Sequence, residues 1–204
     1  MKPEQQDRIF GARTIFLSRG GILRTGDAIK LGIHPETLYR MRDEGVLESL
    51  SRGLFRLTDQ PGLGSPDLVA VSMRAPQSVI CMISALSFHG ITTQVPHAVD
   101  LALPRGSERP RINHPPVRIY WAVPRIFNCG IEEHRVDGRT IRVYSPERTL
   151  VDCFRYRNKI GLDTAIEALR LYRERKPVKP DAIMDCARTC RIARIIRPYL
   201  EGIL

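Results

Sequence analysis

Apolar residues recur at helical spacing between Glu4 and Ser18, where Ile9, Ala12, Ile15 and Phe16 fall on one side, and the pattern stops at Gly20 and Gly21. Two shorter helices follow. Thr25 is read as the N-cap of the first, which runs through Leu31, with Gly32 at a left-handed turn and Ile33 as a buried turn residue. The second occupies "IHPETLYRMRDEG", residues 33 to 45, announced by Pro35 and closed by Gly45. "VLESLSRGLFRL" then reads as two brief strands folded at Ser51, Arg52 and Gly53. Two short helices joined by a Gly-containing turn make a helix-turn-helix, and the hairpin supplies a wing.

"TDQPGLGSP", residues 58 to 66, packs two Pro and two Gly into nine positions, and the periodicity differs on its two sides. The expected organisation is therefore a winged helix-turn-helix over 1–59, a linker over 60–66 and a second domain over 67–204. In that domain Ser65-Pro66 opens a helix to about Arg74, and Ser78 starts another that runs through "VICMISALSFH" to Gly90. "HAVDLALP", "VRIYWAV", "GIEEHRV" and "RTIRVYS" read as strands, the last two turning at Asp137-Gly138. Ser145-Pro146 opens the helix "PERTLVDCFRYRN", and from Gly161 the chain reads as helical to its end. The fold class is α+β, with a small mixed or antiparallel sheet and a helical C-terminal half.

A wheel centred on Leu38 puts His34, Met41, Arg42 and Gly45 within about 60° of it, while Glu36, Tyr39, Arg40 and Asp43 point the other way. Leu38 and Met41 then anchor the helix, and the outward face has the chemistry to read a major groove. Arg40 can bond a guanine bidentately, Thr37 can bond or pack on a thymine methyl, and Tyr39 suits a phosphate or a methyl. Arg52, at the hairpin tip, is placed for a phosphate or a minor groove. With the helix starts included, the candidate DNA-contacting set is Thr25, His34, Glu36, Thr37, Tyr39, Arg40 and Arg52. His34 occupies a cap position that Ser, Thr, Asp or Asn would fill better. A docking module for protein is the competing reading, because the stretch from Arg24 to Arg56 carries six basic side chains against five acidic.

The chain of 204 residues is 43% hydrophobic and 26% charged, within the soluble globular range. Its start, "MKPEQQDRIF", is polar, and no stretch of eighteen apolar residues occurs, so the expected location is the cytoplasm. The net charge of +10 argues for an acidic partner such as nucleic acid. Residues 1–59 hold 10 basic and 8 acidic side chains, residues 60–104 hold 1 and 2, and residues 105–204 hold 21 and 12, so the excess lies in the second half. Five cysteines, at 81, 129, 153, 186 and 190, form no disulfide framework. Cys186 and Cys190, four apart on a helix, have no C-x-x-C or His pair to complete a zinc site, and no cofactor is expected.

"GGILRTGDAIKLGIHPETLYRMRDEGVLESLSRGLFRL" resembles the N-terminal winged-helix domain of the AbiEi antitoxins of type IV toxin–antitoxin systems. "SALSFHGITTQVPHAVDLALPRG" and "SPERTLVDCFRYRNKIGLDTAIEALR" resemble two stretches of their C-terminal domain, "VDCFRYRNK" being the more specific run. The resemblance implies a protein that binds inverted repeats in its own promoter and represses the operon. It also implies a second domain that opposes a nucleotidyltransferase-like toxin without a stable complex. Thr37, Tyr39, Arg40 and Arg52 match the DNA-reading positions, and His34 departs from the expected Ser or Thr.

In the second domain Arg148 and Asp152, four apart, are expected to pair at the surface, contributing about 0.3–0.5 kcal/mol, while Leu150, Val151 and Phe154 face the core. Arg155, Tyr156, Arg157, Asn158 and Lys159 cluster at a helix end, either as a solvated terminus or as an antitoxic contact surface able to grip phosphate. Arg188, Arg191, Arg194 and Arg197 recur every three residues, as a solvated helical stripe or a polyanion contact, beside Ile192, Ile195, Ile196 and Tyr199. A nuclease built on Asp100, Glu132, Glu133 and His134 lacks a Lys at short spacing, and Ser84, Ser87 and His89 read as core and cap residues. The expected protein is non-enzymatic, with double-stranded operator DNA as partner and a dimer or cooperative pair as the expected form on it. The alternative is a winged-helix regulator that senses a ligand in its second domain and has no toxin partner.

Overall fold

The computed structural model describes residues 3–204. The chain runs α1 (Pro3–Ser18), β1 (Ile22–Arg24), α2 (Thr25–Lys30), α3 (Pro35–Asp43), β2 (Leu47–Ser51) and β3 (Leu54–Leu57). It continues with α4 (Pro66–Arg74), β4 (Val79–Ile80), α5 (Met82–His89), β5 (Val99–Pro104), β6 (Val117–Ala122), α6 (Pro124–Phe127), β7 (Ile131–Val136) and β8 (Arg139–Tyr144). The helices α7 (Pro146–Arg155), α8 (Arg157–Ile160), α9 (Leu162–Arg175), α10 (Pro180–Thr189) and α11 (Ala193–Ile203) complete it. Backbone contacts divide the chain into two compact units. The first holds the residues up to Ala70 with 113–115 and 135–139, and the second holds the remainder.

The first unit is a winged helix-turn-helix. Gly32 has φ +91°, a conformation that L side chains seldom adopt, and it turns α2 into α3 while Ile33 stays buried. Ala12 and Phe16 of α1, Ala28 of α2 and Leu38 and Met41 of α3 close over Leu23, Leu47, Phe55 and Leu57 of the sheet. That sheet has three strands in the order β1-β3-β2, all antiparallel, with Leu23 opposite Phe55 and Ser49 opposite Phe55 on the other side. The strand β1 corrects the sequence reading, which led from Gly21 straight into a helix. Thr25 is corrected as well. Arg24 is the N-cap residue of α2 and Thr25 its first helical residue, its N–H donating 2.9 Å to the Gly53 carbonyl across the sheet.

The second unit is α+β. Its five-stranded mixed sheet has the order β6-β5-β4-β8-β7, with β5 parallel to β6, β4 parallel to β8 and β4 antiparallel to β5. The helix expected from Ser78 does not begin there: residues 79–80 are the short central strand β4, and α5 starts after Cys81. The C-terminal half is three long helices with breaks at residues 176–179 and 190–192. Pro177 and Pro180 account for the first break, since neither can continue a helix's hydrogen-bond ladder from within.

At the centre lies α7, buried from Glu147 through Phe154 and surrounded by Leu86, Ala168, Leu169, Ile183, Ile196 and Leu200. Ser145 caps it, its Oγ accepting from the Arg148 N–H at 3.1 Å. Enclosure on all sides changes the expected surface pair into a buried one. Arg148 Nη2 lies 3.1 Å from Asp152 Oδ1, with the two side chains 2% and 6% exposed. The guanidinium also lies 4.6 Å from the centre of the Tyr144 ring and contacts the Cys190 sulfur. Burial alone would favour a neutral arginine, but Asp152, Cys190 and Tyr144 together outweigh it and hold Arg148 protonated.

Removing one partner strands the other charge, so Asp152→Ala is expected to cost about 3–5 kcal/mol, measured by urea unfolding. The double replacement Arg148→Met with Asp152→Leu should recover most of that loss, and a double variant no more stable than Asp152→Ala would contradict this account. Gly130, at φ +71°, leaves no room for a side chain, because a Cβ there would stand 2.5 Å from Arg148 Cβ. Gly130→Ala is therefore expected to cost about 1–2 kcal/mol from backbone conformation alone and more from the collision, seen as a lowered Tm.

Candidate nucleic-acid interface

The helix α3 is held from behind by two side chains, Leu38 and Met41, each fully buried. Its start is fixed by Pro35 in the first turn and by His34, whose Nδ1 accepts from the Glu36 N–H at 3.3 Å. The imidazole thus does the work expected of Ser or Thr, at the long end of hydrogen-bond range, and the bond requires Nδ1 to be unprotonated. Glu36 sits in the first turn and Arg40 and Arg42 in the last, the order that the helix dipole favours.

The outward residues sort into three groups. Glu36 and Arg40 form an exposed pair at 2.7 Å, four residues apart. Such a pair contributes only about 0.3–0.5 kcal/mol, so a nucleic acid can displace it and take over the guanidinium. Tyr39, 43% exposed, meets Phe55 of β3 edge-on at 6.4 Å between ring centres, and the Arg42 guanidinium lies 5.2 Å from the Tyr39 ring. Thr37 is half-buried and, with His34, Gly32 and Ile33, borders an open groove of about 430 Å³ whose other wall is Arg8, Gly11, Ala12 and Ile15 of α1.

Arg42 corrects the wheel, which grouped it with Leu38. It is exposed and paired with Asp43, because it stands one turn beyond Tyr39 on the outward side. It is the basic residue of α3 that the candidate set missed; its i, i+3 spacing from Tyr39 was the available signal. Arg52 is exposed in the turn between β2 and β3, beside Gly53 at φ +71°. Thr25 is half-buried at the start of α2. The arrangement is therefore a short polar helix flanked by a hairpin, with Tyr39 and Arg42 outermost, Arg40 half-buried between them and Thr37 at its edge.

The candidates of the second unit do not form one surface. Arg155 donates to the Cys190 carbonyl at 3.2 Å and Arg157 to the Phe154 carbonyl at 3.0 Å, while Asn158 and Lys159 are exposed. Tyr156 meets Tyr120 edge-on at 5.3 Å, and burial raises its phenol pKa. The expected stripe of Arg188, Arg191, Arg194 and Arg197 is broken. Arg188 lies on α10 and pairs with Asp185, Arg191 sits in the following turn at φ +59°, and Arg194 and Arg197 belong to α11. A left-handed residue cannot continue a right-handed helix, so three-residue spacing carries no common face across it. Arg191 instead shares with Arg125, Arg155 and Thr189 the wall of an open cleft of about 510 Å³, which no carboxylate lines.

Of the residues considered for catalysis, Asp100, Glu132, His134 and His89 have structural partners, and Glu133 is exposed. Asp100 is buried, 2.9 Å from Arg118 Nε, and its backbone N–H donates to Ser84 Oγ at 2.9 Å. Glu132 lies 3.1 Å from His134 Nε2, and His89 Nε2 is 2.7 Å from the Tyr144 carbonyl oxygen. Among the described residues no helix is long and apolar enough to cross a membrane.

Among solved structures the chain is similar to the RV2827C protein from Mycobacterium tuberculosis, with a TM-score of 0.64 and 13% identity over 95% of this chain and 78% of that one. No curated protein matches it. Residues 12–58 match the model of the AbiEi antitoxin transcriptional regulators. That stretch runs from the buried Ala12 of α1 through both helices of the turn to the end of the wing, so the likeness to the AbiEi antitoxin transcriptional regulators covers the winged helix of this chain.

Proposed function

We propose that the protein is an autorepressing antitoxin: α3 and the wing bind double-stranded operator DNA in its own promoter, and the second unit counteracts a nucleotidyltransferase-like toxin. The observation that carries the DNA-binding half is the outward exposure of Tyr39 and Arg42, with the half-buried Arg40 between them, on a helix anchored by Leu38 and Met41. An inverted repeat, bound by two copies, matches the geometry of helix-turn-helix proteins, whose recognition helices enter successive major grooves about 34–36 Å apart. Thr37, Arg40 and Arg42 read bases or nearby phosphates, while Arg52 and the starts of α2 and α3 contact the backbone. For the antitoxin half, the exposed Asn158, Lys159, Arg194 and Arg197 are the candidate contacts, acting on the toxin or on its polyanionic substrate without a stable complex.

Arg40→Ala should lower affinity for the native upstream DNA by about 1–3 kcal/mol while leaving affinity for scrambled DNA nearly unchanged, as read by gel shift over a salt series. Arg52→Ala should weaken both about equally. Equal binding of native and scrambled DNA by the wild type would remove the repressor reading. Co-expression with the neighbouring toxin tests the other half: Lys159→Ala combined with Arg194→Ala and Arg197→Ala should lose growth rescue and keep operator binding. Rescue by the triple variant at wild-type level would show that these residues are not the contact.

A regulator responding to a ligand is favoured by one observation, the cleft lined by Arg125, Arg155 and Arg191. Its volume lies in the range of small-molecule sites, and guanidinium groups suit a phosphate or carboxylate. Titration of the protein–operator complex with nucleoside phosphates distinguishes the readings, since a ligand-responsive regulator releases or tightens on DNA as the cleft fills.

A further inference from the structure

Three of the five cysteines meet around the buried end of Arg148. Cys129 lies in the turn between α6 and β7, Cys186 on α10, and Cys190 at the end of that helix. The Cys129 and Cys186 sulfurs stand 3.5 Å apart although 57 residues separate them in sequence. Both are part-exposed, whereas Cys81, Cys153 and Cys190 are buried. Cys190 is additionally occupied by the Arg148 guanidinium.

Contact between two thiols, access from solvent and a nearby fixed cation are together what makes a thiol pair oxidisable. Few backbone bonds hold Cys129. It lies outside helix and strand, and its N–H makes only a 3.4 Å bond to the Ile126 carbonyl. The sulfurs need to approach by roughly 1.5 Å to reach bonding distance, within the reach of a turn residue. The hydrogen bond shared with the Cys186 thiol draws the Cys129 thiol down to about 6. Burial and Asp152 oppose this, and Arg148 and Thr189 reinforce it. The same bond and burial keep Cys186 protonated.

We propose that Cys129 and Cys186 are a dithiol site for hydroperoxides, oxidised to an intramolecular disulfide that ties the turn before β7 to α10. The Cys129 thiolate attacks the distal peroxide oxygen, the O–O bond breaks, and the leaving alkoxide or hydroxide takes up a proton. Cys129 is then a sulfenic acid. Cys186 sulfur attacks Cys129 sulfur, the S–O bond breaks, and water leaves with the sulfenic oxygen and the Cys186 proton. Two thiols supply the two electrons that reduce one hydroperoxide to an alcohol, or to water, and a second water. The new bond holds the end of α10 next to Thr189 and Arg191, which line the arginine cleft.

The test uses the full chain, reduced and then freed of reductant, treated with one equivalent of hydrogen peroxide or of an alkyl hydroperoxide. Alkylation after denaturation should find three free thiols where there were five. Peptide mapping should find one cross-link, Cys129 to Cys186, undone by dithiothreitol. Cys186→Ser should stop at a sulfenic acid on Cys129, trapped by dimedone. Five alkylatable thiols after treatment, or a cross-link through Cys190, Cys153 or a second molecule, would overturn the proposal. The wild-type map decides this even should the serine variant fail to fold.

Discussion

A guanidinium with 2% of its side chain exposed is the constraint around which the second unit is arranged. Moving such an ion out of water costs several kcal/mol after relaxation, and only a close opposite charge, with further polar or aromatic contacts, offsets it. Arg148 finds Asp152 one turn along α7, the Tyr144 ring from the end of β8, and the Cys190 sulfur at the end of α10. The last two contacts fix β8 and the end of α10 relative to α7. Gly130 must also be glycine for the turn before β7 to pass beside Arg148. One buried cation therefore sets the junction of sheet and helices, and it brings the three thiols of 129, 186 and 190 to one place.

The first unit orders its functional helix by packing. Leu38 and Met41 leave α3 one stable face, which frees the other residues from any duty in the core. The outward side is nearly neutral, with Glu36 on Arg40 and Asp43 on Arg42. Non-specific affinity scales with phosphates neutralised, whereas discrimination rests on a few directed contacts. A helix of this kind suits selection among sequences better than strong attachment to all of them.

Much of this was legible where a local rule is strict. Gly32, the turn at Arg52 and Gly53, the Asp137-Gly138 turn and the Ser145 cap each depend on residues adjacent in sequence, and each lies where the pattern predicts. The strands β1 and β4 were not legible. They have three and two residues, too few for an alternation to register, and their partners lie far along the chain, as with Ile22 opposite Arg56. Thr25 was misread for the same reason, since a residue that leaves a strand is already in place as the cap. The spacing of Arg148 and Asp152 was visible but their burial was not, because α9, α10 and α11 cover them only after long-range packing. The exposed face of α3 was legible through its anchors, and the pair Cys129–Cys186 left no trace in sequence.

The net charge of the second half overstates what a polyanion would meet. Arg142, Arg155, Arg157, Arg173 and Arg175 each donate to a backbone carbonyl, at 3.1, 3.2, 3.0, 2.6 and 2.8 Å. These side chains close loops and helix ends, where carbonyls lack partners of their own. They keep their charge but lose their reach. Arg148 is removed from the surface altogether. Counterion release follows the phosphates actually neutralised, so the salt dependence of a nucleic-acid contact at this unit should reflect the exposed basic residues, Arg125, Lys159, Arg191, Arg194 and Arg197 among them, and not all 21 basic residues of the second half.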